Sequence, residues 1–100
     1  MAAVKLGPES VVVVAPDQVS TDLADEAVIL NLRDATYYGL NALGARIWNL
    51  VQKPTTLREI KQQLLAEYEV QPQVLDKDVR AFLQRLAQAG LIEVHDGKSA

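Results

Sequence analysis

The spacing of apolar residues changes once along the chain, and the change divides it. From Glu26 to Leu32 the side chains sort by twos, with Val28, Leu30 and Leu32 on one face and Ala27, Ile29 and Asn31 on the other. That is the period of a strand. From Leu43 onward apolar residues recur every three or four positions, first as Leu43, Ile47, Leu50 and Val51 and then as Leu57, Ile60, Leu64, Leu65 and Tyr68. A third stripe follows at Leu75, Val79, Phe82, Leu83 and Leu86. That spacing predicts three helices. Before them, the β-branched run from Ser10 to Ala15 reads as a strand closed by Pro16-Asp17. Residues 16–25 read as polar and turn-prone. Arg33-Asp34 is the expected turn of a hairpin whose second strand is Ala35–Leu40. It lacks the glycine of a tight primed turn, so a longer or bulged loop is expected. Leu91-Ile92-Glu93-Val94 reads as a short closing strand.

Local signals fix where the helices begin and end. Asn41 is an N-cap, since its side-chain oxygen can accept from an unpaired backbone N–H. Gly44 and Ala45 are small and allow another element to approach. Lys53-Pro54 stops the first helix. Thr56-Leu57-Arg58-Glu59 is a capping box for the second. Gln71-Pro72 separates the second helix from the third, expected from about residue 73 to 89 with Gly90 as its left-handed stop. The expected fold class is α+β: a three-stranded antiparallel sheet followed by three helices, in the outline of a winged helix-turn-helix. Residues 10–94 are expected to form one domain between flexible ends at 1–9 and 95–100.

Composition narrows the function more than the fold. A chain of 100 residues suits one small domain, and 49% hydrophobic with 23% charged residues argues against disorder. With no cysteine, disulfides, thiolate metal sites and a cysteine nucleophile are all excluded. The net charge of −3 and the interspersed signs, as in Asp76-Lys77-Asp78 before Arg80, weigh against a nucleic-acid partner. The four-valine run near the N-terminus is too short for a signal-peptide core or a membrane span, so no membrane association is expected and the cytoplasm is the default location.

Catalytic equipment is sparse. His95 lies near the C-terminus with no evident partner, and no serine sits in a glycine-framed elbow. Glu67/Glu69 and Asp76/Asp78 are i,i+2 pairs, which point apart on a helix. Metal-ligand spacing and a phosphate-cradling glycine loop are absent. Trp48 is expected to be a core anchor. No enzyme activity, cofactor or metal is expected, which leaves binding. The short aromatic strand Ala35–Leu40 is the natural place for it: an unprotected edge is an aggregation liability or a docking site for an added strand.

Several strings carry a family resemblance. Leu30-Asn31-Leu32, Tyr37-Tyr38-Gly39-Leu40-Asn41 and Gly44-Ala45-Arg46-Ile47-Trp48, with the later Tyr68-Glu69-Val70, Asp78-Val79, Phe82-Leu83, Leu86 and Gly90-Leu91-Ile92, resemble the PqqD-like proteins. The resemblance spans roughly residues 10–94. Arg33-Asp34-Ala35 stands where many relatives turn on Thr-Gly, and Lys53-Pro54-Thr55 where many have a glycine before the second helix. The resemblance implies a non-catalytic recognition element that grips the leader of a ribosomally made precursor peptide. It is most like the stand-alone leader-binding protein of lasso-peptide pathways. Its implied partners are that leader, a leader peptidase and an ATP-dependent cyclase. Service in pyrroloquinoline quinone synthesis or in a radical-enzyme peptide pathway is the alternative, and a winged-helix DNA regulator a second one. A monomer or weak dimer is expected, because an open edge can pair with its twin.

The resemblance further implies that the leader lies along the third predicted strand, over the third helix. Main-chain groups of Ala35, Thr36, Tyr37, Tyr38 and Gly39 would then supply pairing that is indifferent to sequence. Specificity would come from one helix face, where Asp76, Val79, Arg80 and Leu83 stand at i, i+3, i+4 and i+7. Two plainer readings stay open: Val79 and Leu83 as core, and Asp76 and Arg80 as a surface pair. Adjacent strand residues face opposite ways, so one of Tyr37 and Tyr38 is core and the other accessible.

Overall fold

Two short sheets, rather than one, frame the three helices in the computed structural model, which describes residues 6–23 and 26–95. The chain order is β1 (Val11–Val14), β2 (Gln18–Leu23), β3 (Glu26–Asn31), β4 (Thr36–Leu40), α1 (Ala42–Leu50), β5 (Thr55–Thr56), α2 (Leu57–Glu67), α3 (Pro72–Gln88) and β6 (Ile92–His95). One antiparallel sheet runs β5-β1-β6 and the other β2-β3-β4.

The first sheet joins regions near the two ends of the chain. β1 pairs with β6 from Val11↔His95 to Val14↔Ile92, and with β5 at Val11↔Thr56 and Val12↔Thr55. Thus β1 does not extend the hairpin sheet, and the expected closing strand becomes its partner. The second sheet contains a strand where a turn-prone stretch was expected. Asp17, at φ 64, reverses the chain, and Gln18–Leu23 then pairs along β3 from Gln18↔Asn31 to Leu23↔Glu26. The reason for the miss is visible: β2 is an edge strand with mostly exposed side chains, so no apolar face marks it. Residues 24 and 25 of that stretch lie outside the described residues.

β3 buries Ala27, Ile29 and Asn31, the face opposite Val28 and Leu30. α1 packs on β3, and Ile47, Trp48 and Val51 join that face in one core with Leu57, Ile60 and Leu64 of α2 and Leu75, Val79, Leu83 and Leu86 of α3. Trp48 is the expected anchor: it is 1% exposed, and its Nε1 donates to Ser20 Oγ at 3.0 Å, which satisfies the one polar atom of the ring.

The helix signals act as expected. Asn41 Oδ1 accepts from the Gly44 backbone N–H at 2.9 Å. Thr56 Oγ1 accepts from Glu59 N at 3.1 Å, and the Glu59 carboxylate accepts from Thr56 N at 2.9 Å. α3 opens on Pro72, whose missing N–H costs nothing at that position, and Gly90 follows its end at φ 77.

Residues 6–9, expected to be loose, are held. Leu6 is buried, Gly7 N donates to Ser10 Oγ at 2.9 Å, Arg58 N donates to the Pro8 carbonyl at 3.0 Å, and Arg80 donates to the Leu6 carbonyl. His95 belongs to β6 rather than to a tail. Residues 1–5 and 96–100, also expected to be flexible, lie outside the described residues.

Two predictions follow from this packing. At Gly90 a Cβ would carry a left-handed backbone and lie 2.7 Å from Arg33 Nη2. Gly90→Ala should therefore lower the unfolding free energy in urea by about 1–2 kcal/mol, and an unchanged value would contradict the strain. The second concerns acid. Arg46 on α1 donates to both carboxylate oxygens of Glu67 on α2, at 2.8 and 2.6 Å. That pairing holds the Glu67 carboxyl down from its usual 4.5 to about 2. The unfolded chain takes up this proton first, so the stabilisation is complete above about pH 4.5 and fades as pH falls towards about 2. Glu67→Gln should melt at a lower temperature near neutrality and show a flatter decline across that window. Parallel acid limbs for the two proteins would refute the role of the pair.

Candidate functional site

β4 is the outer strand of its sheet. It pairs with β3 from Ala27↔Leu40 to Asn31↔Thr36, and among the described residues no backbone hydrogen bond meets its other flank. The main-chain groups on that flank are available to a further strand.

The hairpin loop sets where this edge begins. Asn31 is opposite Thr36, so the loop is Leu32–Ala35, longer than a tight turn, as the missing glycine implied. Asp34 Oδ1 accepts from Thr36 N at 3.1 Å. Ala35, expected as the first strand residue and as a pairing residue, instead sits in the loop at φ 57. Its left-handed backbone is what turns the chain, so its main chain does not continue the ladder. The usable edge is Thr36–Gly39. Along it, Tyr38 shares the core-facing side with Ile29 and packs on the core, while Tyr37 is 70% exposed on the opposite face.

Across from β4 lies α3, and between them is a groove of about 530 Å³. Tyr37, Tyr38, Gly39 and Leu40 form its strand side, and Phe82, Arg85, Leu86, Gln88 and Ala89 its helix side. Its spacing is fixed at one end by side chains of the hairpin. Asn31 Nδ2 donates to the Ala89 carbonyl at 3.0 Å, and Arg33 Nη2 donates to the Gly90 carbonyl at 3.0 Å. Both acceptors are carbonyls at the C-terminal end of α3, where no further helical turn can satisfy them, and the guanidinium also suits the negative end of the helix dipole. Asn31 is 3% exposed, and its Oδ1 accepts from Arg33 N at 3.0 Å, so the clamp is itself braced.

The helix residues proposed from sequence lie elsewhere. Val79 and Leu83 are fully buried in the core, which is the plainer of their two readings. Asp76 and Arg80 face α2 and the N-terminal segment: Asp76 accepts from Lys61 Nζ at 2.7 Å and from Arg80 Nε at 2.9 Å, and Arg80 also reaches the Leu6 carbonyl. The Lys61 hydrogen bond, with Arg80 behind it, holds the Asp76 carboxyl below the usual carboxylate range. The structure therefore brings Tyr37, Tyr38 and Gly39 to the groove, with Thr36 at its entry, but not Asp76, Val79, Arg80 or Leu83. Successive helix residues step by about 100°, so a buried stripe through Val79 and Leu83 has two flanks. Asp76 and Arg80 are on one, Phe82 and Arg85 on the other. The groove uses the second. One signal for this was present: Gly44 is small because the Phe82 ring lies on it, with Cε1 and Cζ 3.2 Å from where a Cβ would be.

Among the described residues there is no cluster of three acidic or histidine side chains able to hold a metal, and no helix long and apolar enough to cross a membrane. Hydrogen-bonding main chain beside a partly apolar hollow suits an extended peptide.

The family described as coenzyme PQQ synthesis protein D (PqqD) matches residues 26–92, from β3 to β6. TbiB1, solved in complex with the TbiA(beta) leader peptide, is 36% identical, with a TM-score of 0.77 over 88% of this chain and 99% of that one. A lasso peptide synthetase B1 complexed with its leader peptide has a TM-score of 0.73 over 82% of this chain and 96% of that one, and at 23% identity it speaks for the fold alone. No curated protein sequence matches. With the family pattern covering the hairpin and all three helices, the chain belongs to the PqqD family.

Proposed function

We propose that this protein is a non-catalytic adaptor that holds the leader of a ribosomally made, lasso-type precursor peptide and delivers it to a leader peptidase and an ATP-dependent cyclase. The observation that carries the reading is the open flank of β4 facing α3 across the groove. Support comes from the 36% identity to TbiB1, a protein solved with a leader peptide.

The chemistry divides into two parts. Main-chain groups of Thr36–Gly39 pair with the guest whatever its sequence, and Tyr38, Phe82 and Leu86 offer apolar surface for its side chains. A leader that is disordered when free loses roughly 2–5 kcal/mol of the gross interaction to ordering. The strand ladder alone is then insufficient for tight binding, and filled hollows must supply the surplus. Once one segment is held, the rest of the precursor meets an enzyme docked on the same adaptor at a raised effective concentration. Rate enhancement by tethering requires no catalytic group on this chain.

Fluorescence polarisation with labelled leaders of the lasso-type precursors encoded in the same genome tests the reading. Saturable binding is expected, with Phe82→Ala weakening it about tenfold or more. Asp76→Ala, on the other flank of α3, should leave affinity nearly unchanged. Trp48 fluorescence reports whether each variant keeps its core. Absence of saturable binding by the folded wild type would refute the adaptor. For delivery, the partner peptidase should cleave the precursor faster when the wild-type chain is added, and Phe82→Ala should lose that acceleration. Equal rates with and without the chain would refute delivery while leaving peptide binding intact.

A further inference from the structure

The groove continues beyond Phe82. A second hollow of about 280 Å³ opens between the start of α1 and the middle of α3, bordered by Asn41, Leu43, Gly44, Asp78 and Ala81. Phe82 and Arg85 border both hollows. The Phe82 ring, seated on Gly44, forms the partition between them. Arg85 stands one turn further along the same flank of α3, so a peptide crossing the partition passes its guanidinium.

Arg85 differs from every other arginine of the chain. Arg46 and Arg58 pair with Glu67 and Glu9, Arg80 pairs with Asp76, and Arg33 donates to the Gly90 carbonyl. Arg85 is exposed and, among the described residues, makes no ion pair or hydrogen bond. Asp78 shares the second hollow, but it lies about two turns away along the helix and no ion pair joins the two. The groove thus contains an apolar divider with a guanidinium beside it that no ion pair among the described residues engages. A guanidinium is planar and matches a carboxylate with two parallel hydrogen bonds, and a guest lying over it excludes the water that would screen the pair.

We propose that Arg85 determines specificity by selecting a peptide with a carboxylate side chain at the position that crosses the Phe82 partition. This rests on the adaptor reading, because the guest must lie along β4 to reach Arg85. An aspartate or glutamate there is selected for and a lysine or arginine against, so the charge acts both as attraction and as exclusion.

A displayed random-peptide library panned on the full chain tests this. Wild type and Arg85→Glu are panned in parallel, with Arg85→Gln as a neutral variant. Recovered peptides are checked for perturbation of the backbone amide resonances of Thr36–Gly39. Wild type should enrich an acidic residue at one fixed position, Arg85→Glu should invert it to a basic residue, and Arg85→Gln should lose the preference without inverting it. An acidic peptide from the wild-type pool should bind Arg85→Glu roughly tenfold or more weakly, with the difference shrinking as salt rises. Peptides that perturb the β4 amides but show no charge preference, or the same preference on Arg85→Glu, would overturn the role of Arg85 and leave the adaptor standing. Recovery of no peptide that perturbs those amides would overturn both.

Discussion

The carbonyls at the end of α3 are caught by side chains from the β3–β4 hairpin, and the groove depends on that capture. A helix end leaves its last carbonyls without intrahelical partners. Here Asn31 takes the Ala89 carbonyl and Arg33 takes that of Gly90. The left-handed Gly90 ends the helix so that these carbonyls are presented to the hairpin, and it leaves room for the Arg33 guanidinium. A need internal to the helix thereby fixes a distance between the helix and a strand. β4 is held near α3 without being covered by it.

The division into two sheets serves the same end. β1 is occupied by β5 and β6 in a separate sheet, and among the described residues no strand lies on the open flank of β4. The hydrophobic anchors lie behind the groove rather than in it. Trp48, Ile29, Val79 and Leu83 are fully buried, whereas Tyr38 and Phe82 are only partly so. Rigid core behind and partly exposed aromatic surface in front is the arrangement expected where a peptide must be ordered by a host that does not itself reorganise.

The parts legible in sequence are those set by neighbours along the chain. The Asn41 cap, the Thr56–Glu59 box, the Gly90 stop and the long hairpin loop each depend on a few consecutive residues. Partner choice between distant segments was not legible. β1 carries the same β-branched pattern whichever strand it joins. β2 shows no apolar face because little of it is buried. Which flank of α3 lines the groove was not legible for a related reason. Periodicity identifies the stripe through Val79 and Leu83, but neither flank of that stripe announces its neighbour. Asp76 and Arg80 form the surface pair that their spacing allows, on the side of Lys61 and Leu6. Phe82, a member of the same apolar stripe, is only partly buried and lines the groove.

Amide hydrogen exchange along β4, with and without a bound leader peptide, is the most direct test of strand addition. Pairing on the open flank predicts that alternate amides of Thr36–Gly39 exchange more slowly in the complex, by a factor that grows with occupancy, while amides of β2 on the far edge are unaffected. A peptide that binds at full occupancy and leaves every β4 amide exchanging at its free rate would contradict it.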